Sequence, residues 1–268
     1  MITDKRTLVV GNWKMHLTVH QASLLVHRLN QNIQLHRSVE VVLAPSMLSL
    51  QPTSQEIDRR KFGLAAQDAY YEDEGGYTGE VSFAMISGIV DYVIVGHSAR
   101  RIYFGETLET VKHKVKAAVR NGIVPIICVG ETKEERRAKQ TKQVLHDQVT
   151  TAVMDLTSRD IEQVVIAYEP IWAISAYDGE AARPEDVEKA VKYIRFQIEE
   201  LYGRKAAERI RVIYGGSVDD HSAKAFLRVD GVDGVLPGAA SLNYRQFTGI
   251  VEAAYQVQTE IRAKDDKK

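Results

Sequence analysis

The chain has 268 residues, 44% of them hydrophobic, enough to bury a sizeable core as one α/β barrel or two smaller domains. Its 35 basic and 36 acidic residues leave a net charge of -1, so no field gathers nucleic acid or an anionic membrane surface. The single Cys128 excludes an internal disulfide framework. Met1–Arg6 leads into no apolar signal core, and no run is long enough for a membrane span, so the expectation is a soluble cytoplasmic enzyme.

In chain order, apolar strand-like runs fall at Leu8–Trp13, Val39–Pro45, Phe62–Gln67, Tyr92–His97, Val124–Gly130, Val164–Glu169, Arg211–Gly215 and Gly234–Gly238. Each is followed by a stretch that can form a helix. In Glu106–Asn121, Leu108, Val111, Val115 and Val119 share one face, and Asn121-Gly122 is a stop signal. The charged run Lys133–Lys142 reads as a solvated helix surface. Pro184–Leu201 is the clearest helix: Pro184 suits the first position, Glu185 and Asp186 the first turn, and Val187, Ala190, Val191, Ile194, Ile198 and Leu201 face inward. No linker or repeat divides the chain. The reading is a single (β/α)8 barrel over 1–262, with 263–268 as a disordered charged tail.

In such a barrel the chemistry lies where the strands end. Those ends carry Asn12 and Lys14, His97 and Ser98, Glu169, Gly215-Gly216-Ser217, and Gly238-Ala239-Ala240-Ser241. Glu169 follows Val164–Ala167 and precedes Pro170. Packed against Ile171, Trp172 and Ile174, it is expected to be partly desolvated and so raised toward a useful general base. The small residues after the seventh and eighth runs leave backbone N–H groups to converge on a dianion, with a lysine beside them for an oxyanion. One histidine and one glutamate then suffice to shuttle a proton between adjacent carbons, with no metal or cofactor. None of the eight histidines sits in a metal-binding spacing. Singly, each group has an ordinary reading: Lys14 as a rim cation, His97 as a core histidine, Gly215-Gly216 as a tight turn.

Together they resemble one family, triosephosphate isomerase. The resemblance rests on Gly11-Asn12-Trp13-Lys14-Met15, Tyr77-Thr78-Gly79-Glu80-Val81-Ser82, Val95-Gly96-His97-Ser98, Cys128-Val129-Gly130-Glu131, Ala167–Ile174, Tyr214-Gly215-Gly216-Ser217-Val218, and Asp233-Gly234 with Ala240-Ser241-Leu242, in the family's order from Leu8 to about Tyr255. It implies interconversion of D-glyceraldehyde 3-phosphate and dihydroxyacetone phosphate through an enediolate. By the same resemblance Glu169 is the base, His97 a neutral imidazole acting on the oxygens, Lys14 the neutralising cation and Asn12 a donor to the same oxygen. Ser175, Gly216, Ser217, Gly238 and Ala239 are implied to hold the phosphate, and the segment after Glu169 to form a lid. Thr78 is implied to enter a partner subunit, making a homodimer.

The chain also departs from that pattern. Ala99 stands where the family has a glutamate, in Gly96-His97-Ser98-Ala99-Arg100-Arg101. From Pro170 to Pro184 is fourteen positions, two more than in the family, with Tyr177 at a tip that is otherwise small. Ala239 replaces a glycine, at a cost of about 1 kcal/mol if its φ must be positive. His16 and Asp68 each replace an asparagine. Two other readings compete with the plain isomerase: an isomerase of a longer phosphorylated ketose such as a tetrulose phosphate, and a catalytically impaired phosphate-binding barrel.

Overall fold

The computed structural model describes residues 5–174 and 182–265. Eight parallel strands close into one barrel in sequence order: β1 (Thr7–Asn12), β2 (Val39–Ala44), β3 (Phe62–Ala66), β4 (Tyr92–Val95), β5 (Val124–Val129), β6 (Val165–Tyr168), β7 (Arg211–Tyr214) and β8 (Gly234–Val235). β8 closes the ring on β1 through Leu8↔Gly234 and Val9↔Val235. Around it run α1 (Val19–Asn32), α2 (Met47–Glu56), α3 (Phe83–Ile86), α4 (Ser98–Phe104), α5 (Leu108–Arg120), α6 (Lys133–Arg137), α7 (Thr141–Val153), α8 (Pro184–Tyr202), α9 (Arg204–Arg209), α10 (Ala223–Leu227) and α11 (Tyr244–Asp265).

The strands' two-residue alternation builds two cores. Leu8, Val10, Val42, Ala44, Ala65, Ile94, Ile126, Cys128, Val165, Ala167, Ile213 and Leu236 fill the barrel. Val9, Val41, Leu43, Val93, Val95, Ile127, Ile166, Tyr168, Val212 and Tyr214 point the other way, into the helix layer. The same parity carries Asn12 inward one step beyond Val10, and Glu169 one step beyond Ala167. At the opposite mouth Glu40, Tyr92 and Arg211 plug the barrel. Arg211 bonds Glu40 at 2.9 Å and the Tyr92 hydroxyl at 2.8 Å, and that hydroxyl donates to Glu40 at 2.5 Å. Burial and the Glu40 charge push the Tyr92 phenol up to about 12.

Several expectations need amendment. The crossover after β3 has only one turn of helix, α3, because most of the segment between them is loop. The run Lys133–Lys142 is not one solvated helix: α6 ends at Arg137 and α7 begins at Thr141. Arg136 lies 3.7 Å over the Trp172 ring and reaches Asp186 at 3.1 Å. Leu201, expected inward, is 48% exposed, one residue from the C-terminal end of α8 at Tyr202. Ala239 is not among the residues of positive φ, so the cost anticipated for replacing glycine there does not arise. α11 runs to Asp265, and no described helix is long and apolar enough to cross a membrane.

Candidate active site

At the C-terminal mouth, Asn12, Lys14, His97, Glu169, Gly216, Ser217, Gly238 and Ala239 line one cavity of about 590 Å³. Glu169 and His97 meet directly: Oε1 accepts from the His97 Nε2–H at 2.8 Å, with the two side chains 3% and 7% exposed. Its Oε2 accepts from the Ser98 N–H at 3.0 Å, the first amide of α4. The ring's other nitrogen is committed as well, since Nδ1 accepts from the Ala99 N–H at 3.1 Å. An acceptor at Nδ1 carries no proton, so the hydrogen-bond network assigns the ring's proton to Nε2, where it faces the carboxylate.

These contacts correct the expected pKa of Glu169. Burial pushes the carboxyl up, as anticipated from Ile171, Trp172 and Ile174. The His97 ring, the Ser98 N–H and the Lys14 charge outweigh it, and the resting carboxyl lies below its ordinary value. Its backbone is held too: the Glu169 N–H donates to Val129 O at 2.7 Å, continuing the β5–β6 ladder.

Lys14 adopts φ 51°, a left-handed conformation that costs a non-glycine residue about 1–2 kcal/mol. Two side chains impose it. Asn12 Oδ1 accepts the Lys14 N–H at 3.0 Å, and Gln67 Nε2 donates to the Lys14 carbonyl at 2.8 Å and to Ala44 O at 2.9 Å. With Oδ1 so engaged, Asn12 has its Nδ2–H groups to offer the cavity. Lys14 then extends across the mouth until its Cε and Nζ lie 3.4 and 3.8 Å from where a Cβ on Gly238 would stand. Among the described residues, no carboxylate lies within 4 Å of its ammonium.

Beside it, a 3₁₀ turn over Ala239–Leu242 starts at Gly238, and Gly238 and Ala239, at the end of the turn whose first amides lack partners within it, both line the cavity. Gly216 is buried in the same wall, and the Ser217 hydroxyl donates to Ala173 O at 2.9 Å. The Ser217 N–H is directed to the same carbonyl at 3.4 Å, and Gly215 likewise spends its N–H on Tyr168 O at 2.8 Å. Ser175 lies outside the described residues, as do residues 176–181 of the segment after Glu169 expected to form the lid. Thr78 is exposed on the loop after β3, away from the residues lining this cavity.

Three contributors escaped the sequence reading of the site. Gln67 continues the inward parity of Ala65 on β3, a signal that alternation alone could have supplied. His16 lines the cavity mouth, which places one of the two unexplained asparagine replacements. Glu131 is fully buried beneath Glu169's own segment, where it accepts from the Tyr168 hydroxyl at 3.2 Å and from Trp172 Nε1 at 2.9 Å.

The sequence matches the model of the triosephosphate isomerase family over residues 7–254. Among curated relatives, the triosephosphate isomerase of Carboxydothermus hydrogenoformans is 40% identical over 251 residues, covering 93% of this chain and 99% of the relative. That of Clostridium tetani is 39% identical over 248 residues, with coverages of 92% and 96%. That of Dehalococcoides mccartyi is 38% identical over 256 residues, covering 96% and 99%. With a closed eight-stranded barrel and relatives matched almost end to end, the chain belongs to the triosephosphate isomerase family.

Proposed function

We propose that this chain interconverts D-glyceraldehyde 3-phosphate and dihydroxyacetone phosphate by moving a proton between adjacent carbons. The observation that carries the reading is the 2.8 Å contact between Glu169 and the Nε2–H of His97 at the mouth, with Lys14 beside the amides of Gly238 and Ala239. A substrate anchored by its phosphate at Gly216, Ser217, Gly238 and Ala239, with Ser175 as the further donor the family resemblance implies, brings its two reacting carbons toward this pair.

Glu169 takes the proton from the carbon next to the carbonyl, and the electron pair of that C–H bond moves into a C=C bond as the carbonyl oxygen gains negative charge. The His97 Nε2–H donates to that oxygen, and Lys14 and the Asn12 Nδ2–H stabilise its charge. His97 then moves a proton between the two oxygens, and Glu169 returns its proton to the neighbouring carbon. Bonds and protons balance with no co-reactant.

The decisive experiment measures steady-state isomerisation of glyceraldehyde 3-phosphate, with erythrulose 4-phosphate alongside. Loss of the base should lower kcat by about 10³- to 10⁴-fold in Glu169→Gln while the circular dichroism spectrum stays unchanged. Retained activity in that variant removes Glu169 from the chemistry, and a tetrulose rate above the triose rate moves the substrate assignment.

The protein's place is then glycolysis and its reverse, in the cytoplasm. A second copy of the chain is its partner. α4 exposes Ile102, Tyr103 and Phe104 at 48%, 67% and 69%, and Met15, next to Lys14, is 94% exposed. Apolar surface of that kind is unusual on a monomer and suits an interface reached by the Thr78 loop. Sedimentation equilibrium should give twice the 30.1 kDa chain mass, and a monomer would refute the pairing.

A further inference from the structure

Behind α4 lies a cluster of charges outside the reacting site. Lys114 of α5, with its side chain 4% exposed, bonds Asp68 Oδ1 and Oδ2 at 2.7 and 2.8 Å and also reaches Glu106 Oε1. Arg100 of α4 joins the same two acids, with Nε at 2.8 Å from Asp68 Oδ2 and 3.4 Å from Glu106 Oε1. Two cations and two anions therefore balance in a pocket where unbalanced charge is costly.

The cluster is tied to the site through one residue. Glu106 Oε2 accepts from the Gly96 N–H at 3.1 Å, and Arg101 Nε donates to the Gly96 carbonyl at 2.8 Å. Gly96 immediately precedes His97, so this residue, held at its N–H by Glu106 and at its carbonyl by Arg101, sets where the imidazole begins. Asp68 decides how much of Glu106 is free for that task. With Asp68 ionised, Lys114 and Arg100 are shared between two carboxylates, and Glu106 engages them with Oε1 while Oε2 holds Gly96. A neutral residue at 68 leaves both cations to Glu106 alone and draws its carboxylate away from the peptide. Among the described residues, Asp68 and Glu106 are the acids within 4 Å of Arg100, because Ala99 brings none to the first turn of α4.

We propose that Asp68 is a positioning residue for His97, acting through Lys114, Arg100 and Glu106 on the Gly96 peptide. The inference rests on the reading of His97 as the group that serves the substrate oxygens. It assigns a role to the second asparagine replacement, and that role belongs to this chain's own charge arrangement.

The test is Asp68→Asn, read in two ways. In the resting protein, the ¹⁵N resonances of the His97 ring should move while those of distant His36 and His221 stay in place. In steady state, kcat on glyceraldehyde 3-phosphate should fall about tenfold with KM within twofold, since the phosphate site is untouched. Asp68→Glu should recover most of the loss. Unmoved His97 resonances, or a loss carried by KM, overturn the proposal. If the asparagine variant does not fold, Arg100→Gln cuts the same chain from the other side and is read identically. A parent protein inactive on both sugar phosphates would refute the isomerase reading, and the resonances alone would then decide the role of Asp68.

Discussion

Gly130 stands at the end of β5, where β6 delivers Glu169, and it has no room for a side chain. A Cβ there would lie 2.0 Å from the Glu169 carbonyl oxygen and 2.5 Å from its carbonyl carbon, against a floor of 3.0 Å for real Cβ contacts. In Gly130→Ala the two backbones must separate by at least 1.0 Å, the difference between 3.0 and 2.0 Å. The neighbouring ladder bond, Glu169 N–H to Val129 O at 2.7 Å, cannot absorb that movement unbroken. A misplacement of about 1 Å at a reacting group costs on the order of 10²-fold in rate, or about 2.7 kcal/mol in the barrier. Crowding of this kind costs a further 1–3 kcal/mol of stability, roughly.

Gly234 supplies the control, because a Cβ there would lie 1.9 Å from Leu8 O in the first β8–β1 pair, away from the chemistry. Gly234→Ala should therefore lower the melting temperature as Gly130→Ala does, yet leave kcat within about threefold among the molecules that fold. The assay is initial-rate isomerisation on protein of equal folded fraction, beside thermal denaturation. Equal kcat losses in the two variants, or a Gly130→Ala enzyme with unchanged kcat, would refute the reasoning.

The other predictions concern the groups around Glu169. Because its carboxyl is held below the ordinary 4.5, Glu169 stays ionised as the solution becomes mildly acidic. Once the substrate phosphate's own second ionisation, at about 6, is accounted for, the enzyme's acid limb of kcat/KM should lie below 4.5, and an enzyme limb above it, with the fold intact, would contradict the described contacts. The stability sign agrees: a depressed carboxyl stabilises the fold above its unfolded pKa, and the contribution is lost as pH falls through the folded value. Trp172→Phe removes the Nε1–H donor from the fully buried Glu131 and should cost about 1–3 kcal/mol, read as a lowered denaturation midpoint; an unchanged midpoint would mean that another donor replaces it. Ala99→Glu places a carboxylate in the first turn of α4, where the helix end favours it, and kcat should rise or stay level. A clear drop would mean that the site has been rebuilt around the alanine.

The barrel was legible because its signal is local. Each strand is an apolar run, and the α8 stripe Val187, Ala190, Val191, Ile194, Ile198 is buried as its spacing requires. The strand ends overshot because Glu169, His97 and Gly238 continue the apolar runs in sequence while their side chains or amides serve the site. Asn12, Lys14, His97 and Glu169 could be grouped from their places at strand ends, but how they touch could not. The direction of the Glu169 pKa was misjudged for that reason: its apolar neighbours are adjacent in sequence, whereas the Ser98 amide that helps hold the charge is 71 positions away. The Asp68 cluster was equally hidden, since Lys114 lies 46 positions from Asp68 and no periodicity links them.

The contact between Glu169 and His97 also makes substrate binding an exchange. In the resting protein the proton acceptor and the proton donor satisfy each other, so both stay shielded from water and from adventitious reaction. A sugar phosphate has to displace one partner of a charge-assisted bond before either can serve it, and its affinity is reduced by the strength of what it replaces. The loss is recovered only when charge develops on the substrate oxygen and the imidazole gains a stronger acceptor than the carboxylate it left. Ground-state grip is thereby traded for selectivity toward the reacting state, and a ligand that carries a phosphate but develops no such charge should remain a weak occupant of this mouth.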